Sequence, residues 1–154
     1  MKAVTTFAKS IFVKATALKN LNLTKDEQRE IKIAISFDVR IYGNLKRPKV
    51  SRKAQIKADE LGIPISDMRW SNQNKYDKGR SIFHLEHFHT VKDLRESCIK
   101  AEKEAEIVSI LDGSTLVWIL KVEDKILNDN GQRSSRSDPQ QAYIDAGIEI
   151  LDYK

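Results

Sequence analysis

Every histidine of the chain falls within six residues, at His84, His87 and His89, with Glu86 among them. Imidazole is the commonest metal ligand and exchanges its proton near neutral pH. A carboxylate beside it can hold a divalent cation, which makes a phosphate oxygen more electrophilic while a neighbouring imidazole takes a proton from water. On a regular strand His84, Glu86 and Phe88 share one face, and Leu85, His87 and His89 share the other. His87 and His89 can therefore chelate one metal from a single strand. Glu86 and His87 can act together only where the strand bends, bulges or ends. His84 by itself reads more simply as a hydrogen-bonding residue of a half-buried sheet.

The segment that must position them, Ser81–His89, is rich in β-formers and follows the turn-like Asp77-Lys78-Gly79, so it reads as a strand. Thr90 then caps a helix with Asp93 as capping-box partner. That helix runs to about Glu106, and 107–111 either extends it or begins another. Asp112-Gly113-Ser114 is a turn, Thr115–Leu120 a buried apolar strand, and Lys121–Asn130 a helix stopped by Gly131. Asp138-Pro139 opens a further helix that ends at Gly147, before a terminal strand at 148–151. Upstream, Thr24 caps a helix with an Ile31, Ile35, Val39 stripe and a stop at Gly43. Ser51 caps a second helix with Ala54, Ala58 and Leu61 on one face and Gly62 at its end. A polar loop covers Ser66–Gly79. Residues before Thr24 fit either a strand with a turn or a loose helix. The fold expected is α+β: helices around a small β-hairpin or sheet, with a helical N-terminal half, in a single domain over 1–154.

Charge gives the partner class. The net charge is +5, but Met1–Phe83 carries 18 Lys and Arg against 8 Asp and Glu, while His84–Lys154 carries 9 against 14. Such asymmetry suits contact with a polyanion. The single cysteine, Cys98, excludes an internal disulfide and a cysteine-based zinc knuckle, and fits a reducing, cytoplasmic setting. No apolar run approaches the ~20 residues that span a bilayer, so no membrane partner is expected. A glycine-rich phosphate loop and a Gly-x-Ser-x-Gly elbow are both missing.

Glu86-His87, on a strand after a basic stretch, resembles the start of the HNH, or His-Me finger, nucleases, whose core is a β-hairpin packed on one helix. The likeness covers about residues 79–130. It implies that His87 is the general base, with Glu86 as its catalytic partner and metal ligand. Asp124 and Asn128, four apart on one helix face, and His89 are the further candidate ligands, with Glu123 a competitor on an adjoining face. The implied cation is Mg²⁺ or Mn²⁺, with Zn²⁺ as an alternative. The chain then divides into a basic, mainly helical nucleic-acid-binding part (1–80) and a ββα-metal catalytic part (81–154). Arg47, Lys49, Arg52, Lys53, Lys57, Arg80, Arg133 and Arg136 would hold phosphates, and Trp70 would either stack on a base or anchor its loop to the core. The expected activity is metal-dependent cleavage of nucleic acid, DNA more than RNA, of a restriction, defence or mobile-element type. A homodimer would suit symmetric cutting of a duplex. A non-catalytic nucleic-acid-binding protein, a small zinc-binding hydrolase and a structural protein with an acidic C-terminal half are the alternatives.

Overall fold

A computed structural model describes residues 2–152. The architecture is α+β, with a small four-stranded mixed sheet and a helical N-terminal half. The chain divides into two compact units: Met1–Leu45 with Thr90–Ser114, and Lys46–His89 with Thr115–Lys154. This division does not follow the charge break near residue 83. The first unit holds 12 Lys and Arg against 10 Asp and Glu, the second 15 against 12. The basic and acidic sequence halves are thus interleaved in space, and neither unit inherits the strong asymmetry.

The first unit is helical: α1 (Lys2–Asn20), α2 (Lys25–Leu45), and then α5 (Val91–Lys100) and α6 (Glu104–Gly113), which arrive from later in the chain. α1 decides the question left open before Thr24. Val4, Ala8, Ile11 and Ala15 recur at helical spacing, and all four are buried; Val4, Ala8 and Ile11 join Ile35, Val39, Leu94, Cys98, Ile107 and Leu111 in one core cluster. α2 starts at a capping box in which Thr24 Oγ1 accepts from the Glu27 amide at 3.2 Å and Glu27 Oε2 accepts from the Thr24 amide at 2.7 Å. Gly43, expected to stop this helix, lies inside it and is buried. Packing of that face outweighs a helix penalty of only ~1 kcal/mol.

The second unit contains β1 (Lys49–Ser51), α3 (Arg52–Leu61), a short α4 (Gln73–Tyr76), β2 (Phe83–His87), β3 (Leu116–Leu120), α7 (Lys121–Asp129), α8 (Pro139–Asp145) and β4 (Ile150–Leu151). The strand order is β2-β3-β1-β4. β3 pairs antiparallel with β2 and parallel with β1, and β4 closes the edge antiparallel to β1. One sheet face packs Val50, Phe83 and Trp118 with Ala54 and Ala58 of α3 and with Ile65 and Met68. The other packs Val117 and Ile119 with Leu127 of α7 and Ala142 and Tyr143 of α8. Strand alternation makes this two-sided burial possible.

Local signals hold where they were read. Ser51, at φ −74° and ψ 153°, caps α3 by accepting from the Ala54 amide. Gly62 ends it in the left-handed region, at φ 64°. Asp138 caps α8 ahead of Pro139. Arg80 has φ 52°, the only non-glycine positive φ among the described residues; a side chain there costs roughly 1 kcal/mol or more.

Candidate cation-binding site on β2 and α7

β2 is regular from Phe83 to His87, each residue opposite one residue of β3 from Leu120 to Leu116. With no bulge, Glu86 and His87 project to opposite faces. Leu85 belongs to the cluster on the α3 side, and His87 shares its direction. His84 and Glu86 point the other way, to where α7 lies. Leu127 anchors α7 to the sheet, and Asp124, one turn earlier, is thereby brought over β2.

His84 Nε2 lies 2.8 Å from Glu86 Oε2 and 3.8 Å from Asp124 Oδ1. One ligand atom from each of His84, Glu86 and Asp124 falls within 4.8 Å of the others. Asn128 adjoins the group, its Nδ2 donating to Asp124 Oδ2 at 3.3 Å. The His84 side chain is 39% exposed, Asp124 25% and Glu86 12%, so the cluster sits at the surface with its acid base partly sunk.

Arg136 holds Glu86 from beneath. Its side chain is 1% exposed and its Nη2 donates to Glu86 Oε1 at 2.6 Å. Nη1 donates to the carbonyls of His87 and Phe88, and Nε to that of Gln132. The guanidinium thereby ties the end of β2 to the 132–137 loop. Burying such a pair is tolerable only when its remaining donors are satisfied, as they are here.

These contacts set the charge states. Burial pulls the His84 pKa down, but the Glu86 hydrogen bond and the charges of Asp124 and Glu86 outweigh it, and the imidazole ends above its ordinary value despite opposition from Lys121. Burial pushes Glu86 up, but the His84 bond and the Arg136 guanidinium bring it below the usual carboxylate range. At neutral pH Glu86 is a carboxylate, and His84 is drawn toward its charged form.

Two more polar groups close the interior side. Glu123 is fully buried, its Oε2 accepting from Ser51 Oγ at 2.7 Å and from the Leu120 amide at 2.8 Å, while Oε1 has no hydrogen-bond partner. Tyr143 is 1% exposed and its hydroxyl also lacks a partner. Burial, then the nearby charges of Glu86, Glu123 and Asp124, drive that phenol far up, against the pull of Arg136. Tyr143 reads as core from its helical position alone, and only its hydroxyl hinted at more.

The sequence-derived site residues therefore separate. Glu86, Asp124 and Asn128 come together and are joined by His84, whose shared strand face with Glu86 was the available signal. His87 is half-buried with Nε2 sealed from solvent, and His89 makes an edge contact with the Phe88 ring. Arg136, expected to clamp phosphates, is instead committed inside the fold, because Glu86 and three carbonyls claim its donors. Arg52 forms an exposed two-bond pair with Glu149, Lys57 pairs with Glu60 and Lys49 with Asp152. Arg47, Lys53 and Arg133 are exposed. Trp70 is exposed, with Arg80 stacked on it.

No family model, curated protein or solved structure matches the chain. Among the described residues, no helix is long and apolar enough to cross a membrane.

Proposed function

We propose that this protein is a divalent-metal-dependent hydrolase of phosphodiester bonds in nucleic acid, with His84 rather than His87 as the general base. The observation that carries the reading is the convergence of His84, Glu86 and Asp124, from two elements, into one group with ligand atoms within 4.8 Å. Two carboxylate oxygens, with the Asn128 amide adjoining, suit a hard cation such as Mg²⁺ or Mn²⁺. That cation, bound by Glu86 and Asp124, would polarise a phosphate oxygen. Arg136 keeps Glu86 ionised and fixed. With a cation on Glu86 and Asp124, the two carboxylates would no longer hold the His84 imidazole toward its charged form, and His84, the most exposed of the three, would then accept the proton of an attacking water. The order β2, β3, α7, an antiparallel strand pair with a helix on it, supports the likeness to the HNH nucleases. The basic surface residues Arg47, Lys53 and Arg133 support a polyanionic substrate, and DNA is the first to test.

The test is cleavage of plasmid DNA and of RNA with Mn²⁺ or Mg²⁺ and with EDTA. We expect chelation to stop cleavage and H84A or D124A to reduce it by about 100-fold or more, the usual worth of an acid–base group. H87A should stay within a few-fold of the wild type. A protein equally active in EDTA, or inactivated by H87A and not by H84A, would end this reading. A second reading, a non-catalytic nucleic-acid-binding domain, is favoured by the Arg136–Glu86 pair at 2.6 Å, which already neutralises one carboxylate. It predicts salt-sensitive binding without cleavage under any metal.

A further inference from the structure

Trp70 is 45% exposed, an aromatic ring in a largely polar loop that carries Arg69, Lys75, Lys78 and Arg80. The Arg80 guanidinium carbon stands 3.6 Å from its ring centroid, and Arg80 Nη2 donates to the Trp70 carbonyl at 3.2 Å. The stack is built into the backbone. Arg80 holds the left-handed φ of 52° next to Gly79 at 69°. Asn74 Oδ1 accepts from the Gly79 amide, the Asp77 carbonyl accepts from the Arg80 amide, and the buried Asp77 carboxylate accepts from the amides of Ser81, Ile82 and Phe83. An arginine in a conformation that glycine would adopt without strain, held there by three side chains or carbonyls, indicates a position kept for its side chain.

The surroundings give the ligand's chemistry. Lys75 and Lys78 are exposed in the same segment as the stack, with Asp67 the exposed acid of the loop, while Asp77 is buried and spent on backbone amides. A flat π-face backed by one cation, in a segment with two more exposed lysines, suits an unpaired base on a phosphate backbone. Arg80 is also only four residues before His84, at most about 14 Å along the chain.

We infer that Trp70 and Arg80 form a stacking platform for an unpaired nucleobase, so that the substrate is engaged as single-stranded or locally opened nucleic acid. This inference rests on the nucleic-acid reading above, but its test does not need cleavage. Trp118 is fully buried, so quenching by a bound base reports on Trp70. In EDTA, the full chain is titrated at fixed salt with a single-stranded oligonucleotide and with an abasic strand of equal length. The base-bearing strand should quench emission and bind on the order of 10-fold more tightly, as expected for one stacked base. W70A should erase that preference and W70F restore part of it. R80G should weaken binding of the base-bearing strand while the unfolding midpoint changes little, because relief of the strained φ offsets the lost stack and the lost bond to the Trp70 carbonyl; a merely structural arginine would lose stability and leave the base preference unchanged. Equal affinity for the abasic strand, or unaltered binding by W70A, overturns the platform even if metal-dependent cleavage is found. Quenching and base preference without any cleavage would uphold the platform and remove the hydrolase.

Discussion

His84 Nε2 lies 2.8 Å from Glu86 Oε2, two residues along one strand, whereas His87, bonded in sequence to Glu86, projects from the opposite face. Covalent adjacency and spatial adjacency disagree at the centre of the site, and the strand period decides which matters. The carboxylate that Arg136 anchors is thus shared with an imidazole read at first as structural.

The His84–Glu86 pair should contribute stability over a bounded pH window. Glu86 has a depressed folded pKa, so its contribution is present above the ordinary 4.5 and is lost as pH falls through the lower folded value. His84 has a raised one, so its contribution is complete below 6.5 and is lost as pH rises through the higher folded value. Urea midpoints of the wild type and His84→Gln in EDTA should differ most between pH 4.5 and 6.5 and converge at alkaline pH. A difference independent of pH would show that the two groups are not coupled as charges.

Removing Arg136 should be severe. Arg136→Ala leaves Glu86 buried without its cation and strips hydrogen bonds from the carbonyls of Gln132, His87 and Phe88. The expected loss is about 3–5 kcal/mol, read from denaturant unfolding. A loss below about 1 kcal/mol would place Arg136 among ordinary surface ion pairs.

Tyr143→Phe tests the interior wall. The Tyr143 hydroxyl is buried with no hydrogen-bond partner, so deleting it should be neutral or stabilising by up to about 1 kcal/mol. Destabilisation of more than about 1 kcal/mol would instead reveal that a bound water or ion uses that hydroxyl in solution.

The helical unit should weaken in alkali. Burial and the Asp112 carboxylate raise Tyr42 to about 12, and burial raises Cys98 to about 12. Both groups keep their protons in the folded state after the unfolded chain has lost them. Stability is therefore full below their ordinary values and declines as pH climbs toward 12. Thermal unfolding from pH 8 to 11 should show this decline, and Tyr42→Phe should make it shallower. An equally steep fall in that variant would assign the effect elsewhere.

What the sequence determined by itself are the features contained within a few residues. The Thr24–Glu27 box, the Ser51, Thr90 and Asp138 caps, the left-handed Gly62 and the alternation along β2 each depend on atoms one turn or two residues apart, so residue type and spacing suffice to read them. The α+β class followed from the same local periods. Tertiary structure alone decided which face of β2 meets a helix, because the local period is indifferent to direction; Leu85 and Phe83 join the α3 side only because Trp118 and Val50 are there to complete that core. It alone paired Glu86 with Arg136, fifty residues on, and it turned a basic half and an acidic half into two units of similar balance. Such contacts are fixed by how whole faces bury together, and no window of the chain contains both sides of them.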